Sequence, residues 1–296
     1  MEPLRIGIVG AGGIVRERHL PGLQPLGAVE VRAVANSTID SALRFCKANV
    51  PAAEAVADWH DLVKRDDIDI VWIGATPQLH APVTLAALTA GKHVFTQARM
   101  ATNLEEARTM LAAAKARPDL VTMICPAPHG LRSGAYFKKL LDEETIGSVR
   151  MVRLQSLNGT FLDPRLPAHW RQRKEISGLN IMTLGIHIEV LQRWFGGIAS
   201  VQAEGKAFVT LRNDYRVEVP DILNVLAEFE NGAQGILEFS SVHSGDPVEA
   251  MEVIGSKGIL RYDYAKDSIE LQRKGDPKWQ VLESPKELLR DWQVEK

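Results

Sequence analysis

Residues 7–15 read GIVGAGGIV, and this stretch decides the fold. LRIGIV, residues 4–9, is an apolar run of strand length, and the residues after Gly13 have helical character. Gly10 suits a tight turn at the strand end. Gly12 lets the backbone approach a pyrophosphate, which would sit at the positive end of the following helix. The place of a third Gly or Ala is taken by Val15. A glycine cluster alone is a weak signal. Between a strand and a helix of a βαβ unit it predicts a dinucleotide site built on Gly10, Gly12, Gly13 and Ile14. The alternative is a tight turn that holds no ligand.

Working outward, the alternation continues to about residue 125. VEVRAVA, DIDIVWIGA, KHVFT and LVTMIC are apolar or β-branched runs, separated by the helical stretches IDSALRFCKA, HAPVTLAALTA and LEEARTMLAAAKA. Strands alternating with helices predict a parallel sheet with right-handed crossovers. Beyond Cys125 the texture changes. A helix is expected over GAYFKKLLDEE and a long one from about Leu179 to Phe195, while alternating strands dominate from Val201 onward. Asn231-Gly232 and Ser256-Lys257-Gly258 are hairpin signals. The expectation is α/β: residues 1–125 form a Rossmann domain and residues 126–296 an α+β domain with a mostly antiparallel sheet. A final helix, PKELLRDWQ, is expected to pack on either domain.

The chain has 296 residues, 45% apolar and 24% charged, with net charge −2, which suits two globular domains. That charge argues against a nucleic-acid surface or an anionic membrane as partner, since both need a basic patch. No apolar run approaches the ~20 residues of a membrane span. Cys46 and Cys125 form no CxxC and read as reduced thiols, and the start of the chain has no signal-peptide pattern, so a cytoplasmic location is expected.

The second strand ends in Asn36, Ser37 and Thr38. An acidic residue there would bind the ribose hydroxyls of NAD; its absence tilts the expectation toward NADP, although no arginine stands beside it. Alternatively Asn36 is a turn residue and cofactor choice is relaxed. Thr76, Pro77 and His80 follow the third strand and are expected to face the cofactor. The fourth strand hands over to a helix through FTQARMATN, residues 95–103, where Asn103 and Glu106 form an N-cap signature. Gln97, Ala98 and Arg99 occupy this turn. None accepts a proton at neutral pH, because an amide is not basic and a guanidinium stays charged. Arg99 is a candidate for binding a carboxylate or keto group, or is a solvated turn charge.

Three polar residues, Asn180, Thr183 and His187, interrupt an otherwise apolar helical stretch at spacings of three and four. On one helix that makes a polar stripe, which must meet partners, water or a ligand. His187 is then either a core histidine capped by Thr183 or a group lining a site, where imidazole is the natural proton carrier. His129, in the rigid turn CPAPHG, is a cleft residue or a turn residue. Trp170 and Arg171 form a wall on the substrate side, unless Trp170 is core. No metal site is expected: His187-Ile188-Glu189 lacks the PCxxC of zinc deaminases, and there is no HExxH.

The chain resembles the Gfo/Idh/MocA oxidoreductases. The resemblance rests on GAGGI with HLPGL after it, ATPQLHAPVTLAAL, GKHV, IGSVRMV, and HWR followed by SGLNIMTLGIH, in the family's order over most of the chain. It implies a Rossmann domain, an α/β domain whose sheet has an open face used for dimerisation, and reversible oxidation of a sugar or polyol hydroxyl with NAD or NADP. Two motifs depart. Where the family has Glu-Lys-Pro, with a lysine that helps move the substrate proton and contacts the nicotinamide ribose, this chain has Gln97-Ala98-Arg99. Where the family has aspartate before glycine and histidine, this chain has Thr183 before Gly185 and His187. The resemblance therefore places Gln97 and Ala98 on the cofactor side and leaves His187, with Thr183, as the catalytic pair.

The expected activity is an NAD(P)-dependent oxidoreductase acting on a hydroxyl or keto group of a small polar molecule. The partners are that substrate and further copies of the chain, as a homodimer or homotetramer through the C-terminal sheet. The two departures also fit a redox-neutral hydrolase or lyase that uses bound cofactor transiently, or a cofactor-binding homologue without activity.

Overall fold

The computed structural model describes residues 2–125, 131–179, 181 and 183–289. Contacts divide the chain into two compact units, residues 1–126 with 175–178 and 294–296, and residues 127–174 with 179–293.

The first unit holds six strands: β1 (Leu4–Val9), β2 (Val29–Ala35), β3 (Glu54–Val56), β4 (Ile70–Ile73), β5 (His93–Thr96) and β6 (Thr122–Ile124). They lie in the order β3-β2-β1-β4-β5-β6, all parallel. This is the doubly wound order, with its switch point between β1 and β4. Ile6 and Ile8 pack on one side of the sheet with Val15 and Phe45, and Val9 and Ile73 on the other with Leu62 and Val83.

The helix after the glycine turn is π-wound over Val15–His19 and continues as α1 (Leu20–Leu23). α2 (Ile39–Asn49) is capped by Thr38, whose side chain accepts from Ser41 N. α3 (Trp59–Val63), capped by Asp58, is a short helix that the sequence reading missed, as it missed β3. α4 (His80–Thr89) and α5 (Leu104–Ala116) follow β4 and β5. Asn103 Oδ1 accepts from Glu106 N at 2.9 Å, and Glu106 Oε2 accepts from Thr102 N at 2.9 Å, so the expected cap forms.

The second unit opens with α6 (Gly134–Asp142) and β7 (Val149–Leu157); α7 (Lys174–Ser177), most of which belongs to the first unit, and α8 (Leu184–Phe195) follow in the chain. The remaining strands are β8 (Ile198–Lys206), β9 (Leu211–Arg212), β10 (Tyr215–Arg216), β11 (Ile222–Phe229), β12 (Gln234–Ser240), β13 (Val248–Gly255), β14 (Gly258–Asp263), β15 (Ser268–Arg273) and β16 (Gln280–Leu282). Eight of these form one sheet in the order β16-β15-β14-β13-β7-β12-β11-β8, and β9 pairs with β10 apart from it. Only β7 and β12 run parallel, so the sheet is mostly antiparallel as expected.

One face of the sheet carries Val152, Leu154, Val225, Leu237, Met251 and Leu260 and packs against Phe137 of α6 and Leu191 and Phe195 of α8. The other face shows a row in register: Leu226, Ile236, Arg153, Glu252, Arg261 and Glu270. Its charges alternate, with Arg153 and Arg261 both on Glu252 at 3.1 and 2.7 Å.

One expectation fails locally. The long helix begins at Leu184, not near Leu179, and Thr183 is its N-cap residue. Of the expected stripe, Thr183 therefore stands at the helix entrance and His187 inside the helix, while Asn180 lies outside the described residues. Of the expected final helix PKELLRDWQ, the described residues hold a 3-10 turn, Lys286–Leu288, and residues 290–293 lie outside the described residues.

Candidate functional site

The first candidate site lies on the first unit, where β1, β2 and β4 end. Gly10 has φ +84°, a left-handed conformation, and a Cβ there would lie 2.3 Å from the Ala75 Cα. The turns after β1 and β4 touch at this point. Gly74 reinforces the contact, since its own Cβ would lie 2.3 Å from Val15 Cγ2. Val15, where the fingerprint has its third small residue, thus packs against a glycine on the neighbouring strand end. Gly12 has no neighbour within 4 Å of the Cβ it lacks, so its backbone opens onto free space.

That space is an open groove of about 540 Å³, lined by Gly10, Ala11, Gly12, Asn36, Ser37, Ser41, Asp58, Trp59, Thr76 and Gln78 among others. Bare backbone at Gly12, a helix start beyond it and flanking hydroxyls are the donors a pyrophosphate needs, so the groove fits a dinucleotide.

Asn36 has a role the sequence did not reveal. Its Oδ1 accepts from Ala11 N at 2.6 Å and so holds the glycine turn to the end of β2. Asp58 was also missed. It is ionised, held below the usual carboxylate range by hydrogen bonds from the backbone and ring of His60. The signal was there, since Asp58 precedes the helical string WHDLV, but N-cap carboxylates are usually only caps.

The other expected cofactor residues divide. Thr76 lines the groove; Gly13 and Ile14 are exposed beside it; Pro77 is buried behind it. His80 does not reach the groove. It is fully buried, with Nδ1 at 2.6 Å from the Arg99 carbonyl and Nε2 at 2.9 Å from the Ala75 carbonyl, where it ties two strand-end turns together. Burial pushes its pKa down, although both carbonyls favour the charged ring. Gln97, Ala98 and Arg99 are half-buried in the turn after β5 and are not part of the groove wall. Gln97 reaches His19, which accepts from Trp72 Nε1 at 2.8 Å.

The second candidate site lies on the second unit. Period-two alternation turns Val152, Leu154 and Ser156 of β7 to the helix-covered face. Register pairs Ser156 with Glu249 of β13, which is in phase with the buried Met251 and Val253. In α8, His187, Val190 and Leu191 share the buried face, which brings His187 over this end of the sheet. The result is a chain of hydrogen bonds. Thr183 Oγ1 and Ser156 Oγ are 2.8 Å apart, Ser156 Oγ donates to Glu249 Oε2 at 3.0 Å, and Glu249 Oε1 meets His187 Nε2 at 2.6 Å. Phe239 and Tyr264 enclose the imidazole, the tyrosine edge-on at 5.3 Å between ring centroids. Burial, with the Glu249 charge, pushes the Tyr264 phenol well above its usual range.

Thr183 and Ser156 also form part of the wall of a narrow niche, with Asn158, Arg171, Gln172, Asp221 and Ser240. Its free volume is about 20 Å³, room for one water or one hydroxyl group. Burial lowers the pKa of the Arg171 guanidinium, which stacks 4.2 Å above Trp170. Trp170 itself is half-buried, neither core nor part of the niche wall, and starts a short turn capped by His169. His129 and Asn180 lie outside the described residues. Ser156 and Glu249 were missed by the sequence reading. Their signal was phase: each is a polar residue on the buried face of an alternating strand.

A family model described as "Oxidoreductase family, NAD-binding Rossmann fold" matches residues 4–124, and the GFO/IDH/MocA C-terminal domain matches residues 135–261. The chain is 27% identical to levoglucosan dehydrogenase of Pseudarthrobacter phenanthrenivorans, over 90% of this chain and 75% of that one. It is 29% identical to trans-1,2-dihydrobenzene-1,2-diol dehydrogenase of Sus scrofa, over 93% and 79%. Among solved structures, an oxidoreductase domain protein from Kribbella flavida superposes with a TM-score of 0.83 at 27% identity, covering 95% of this chain and 80% of that one.

Proposed function

The chain belongs to the Gfo/Idh/MocA oxidoreductase family, and we infer from that membership that it is an NAD(P)-dependent oxidoreductase of hydroxylated small molecules. On that premise we propose that it interconverts a secondary alcohol and a ketone on a sugar, polyol or cyclic diol, with NAD preferred over NADP. Bound in the groove, the nicotinamide supplies a hydride acceptor. Gly10, Gly12 and the first turn of the following helix would hold the pyrophosphate, with Asn36 keeping the turn in place.

The preference for NAD rests on Asp58. Among the described residues that line the groove none is lysine or arginine, and the one full charge is the Asp58 carboxylate. A 2′-phosphate near it would be repelled, whereas a ribose hydroxyl would not. This outweighs the tilt toward NADP drawn from Asn36, whose side chain is engaged with Ala11.

The observation that carries the catalytic reading is the hydrogen-bonded chain from Thr183 to His187. Oxidising an alcohol releases a proton as well as a hydride. The chain of polar groups opens on a niche of hydroxyl size and offers that proton a path inward from it. Thr183, in the niche wall, and His187, at the buried end of the hydrogen-bonded chain, are thus the proposed residues of the catalytic site, although Thr183 stands where the family has a carboxylate.

The open face of the second unit's sheet, with its ladder of alternating charges, is the proposed dimer or tetramer surface. No described helix is long and apolar enough to cross a membrane. Cys46 is a buried thiol and Cys125 a half-buried one, which fits the proposed reducing, cytoplasmic setting.

The test is a panel of levoglucosan, myo-inositol and trans-1,2-cyclohexanediol with NAD and with NADP, followed at the nicotinamide absorbance. Turnover with NAD on at least one member supports the reading. Tight retention of nicotinamide with no net reduction would favour the redox-neutral alternative, and failure to bind either cofactor would refute the site.

A further inference from the structure

His187 has no exposed surface, yet the proton of a substrate hydroxyl must arrive from outside. Whatever His187 does is done through its hydrogen-bonded partners. Ser156 and Thr183 stand in the niche wall, but a hydroxyl passes a proton on without storing it at neutral pH. Asp221, the carboxylate of the niche, is occupied: it accepts from Phe208 N at 2.9 Å and from Val209 N at 2.8 Å. Arg171 is a cation and Gln172 a neutral amide. Glu249 differs from all of these. Its two oxygens bond different members of the chain, Ser156 on one side and His187 on the other, and its side chain is 28% exposed where His187 is at 0%.

We propose that Glu249 is the base of a proton relay running Thr183–Ser156–Glu249–His187, and that His187 acts as a positioning residue behind it. The proposal rests on the alcohol–ketone reading above. In oxidation the substrate C–H bond would break with both its electrons, which a bound nicotinamide would accept as hydride. The O–H bond breaks and its proton passes to Thr183 Oγ1 or Ser156 Oγ. The proton already on Ser156 Oγ moves to Glu249 Oε2 in the same sense, so each hydroxyl loses one proton and gains one. Glu249 ends protonated, the substrate ends as a carbonyl, and reduction runs the relay backward.

The geometry explains why the carboxylate sits on a strand. Helix α8 begins only at Leu184, so position 183 offers a hydroxyl at the helix entrance. The negative charge comes from the partner strand, through the register that pairs Glu249 with Ser156. His187 Nε2 fixes the carboxylate at 2.6 Å, and the Tyr264 backbone N–H donates to the Glu249 carbonyl at 2.9 Å, so both side chain and backbone of Glu249 are held.

The experiment uses the full chain with NAD and the best substrate of the panel. Glu249→Gln keeps size and hydrogen-bonding shape but is not basic. It is expected to lower kcat by ~10²–10⁴, with NAD affinity and melting temperature close to wild type. Ser156→Ala, which cuts the relay with little change in volume, should also lower kcat. Glu249→Ala supplies the readout that a purely structural role would not move: added acetate should restore part of its turnover in proportion to acetate concentration. Independently of turnover, ¹⁵N-histidine spectra should show a downfield His187 Nε2–H resonance that is lost in Glu249→Gln. Unchanged kcat in Glu249→Gln, or no acetate rescue of Glu249→Ala, overturns the relay while leaving the oxidoreductase reading intact. Wild-type protein that binds NADH but oxidises no panel member overturns that reading and the relay with it.

Discussion

Gly10 and Gly12 are two residues apart in one turn, and the structure assigns them opposite sensitivities. A side chain at Gly10 meets two penalties. At φ +84° the backbone is in the left-handed region, which costs a non-glycine residue about 1–2 kcal/mol. Its Cβ would also fall 2.3 Å from Ala75 Cα and 2.4 Å from Ala75 N, backbone atoms that cannot rotate away. Forcing apart two packed turns adds about 1–3 kcal/mol. Gly10→Ala should therefore destabilise the protein by about 2–5 kcal/mol, a large part of a domain's ordinary 5–15 kcal/mol. Gly12 has no positive φ and no atom within 4 Å of a notional Cβ. Gly12→Val should leave the urea midpoint within the error of wild type while filling the space where the backbone meets the pyrophosphate. NADH affinity should fall by more than ~100-fold, or ~2.7 kcal/mol. Urea unfolding followed by tryptophan fluorescence and calorimetric titration with NADH measure the two quantities separately. If Gly12→Val binds NADH like wild type, the groove is not the cofactor site. If Gly10→Ala is as stable as wild type, the contact between the β1 and β4 turns is misread.

Asp58→Asn should raise the affinity for NADP relative to NAD by about five- to tenfold at low salt, an effect that fades as salt is added; no change in the ratio would remove Asp58 from cofactor selection. Arg5 holds Asp69 through its side chain at 2.7 and 3.0 Å and through its backbone N–H at 2.9 Å, which pushes the carboxyl down to about 2. Because the folded value lies below the unfolded one, this stabilisation is present above pH ~4 and is lost as pH falls through about 2. Both side chains are about one-third exposed, so screening reduces the contribution to about 1 kcal/mol, and Asp69→Asn should lose that amount at pH 7 in urea titrations but little at pH 2. Arg212, 1% exposed, donates to the carbonyls of Phe161 and Asp163. Arg212→Met should leave those carbonyls without their donor and cost about 2–4 kcal/mol, read as a shift in the urea midpoint at constant slope.

The parallel sheet of the first unit was legible in the sequence because its signals are local. A buried parallel strand is a continuous apolar run, the crossovers are helices, three of them opened by a side-chain cap, and the glycine turn lies between the first strand and its helix. The hairpin at Asn231-Gly232 was legible for the same reason, since Gly232 needs φ +83° and Asn231 Oδ1 bonds Ala233 N within the turn. The functional helix was half legible. His187 stands out as a lone imidazole in an apolar stretch, but a helix start depends on where the preceding chain is held, and the spacing of Asn180, Thr183 and His187 could not reveal that the helix begins at Leu184.

Three features came from tertiary structure alone. Asn36 reads as a cofactor residue until Ala11, 25 positions away, is seen to donate to it. Arg212 reads as a surface arginine, yet it anchors the loop around Phe161 from a distance of 51 residues in sequence. Glu249 belongs beside His187 only because β13 pairs with β7 in a register that sets it opposite Ser156, 93 residues earlier. A sequence states which side chains share a strand face, because that period is local. Which faces meet, and in what register, is decided by packing between segments far apart in the chain, where burying one more apolar side chain outweighs any local preference.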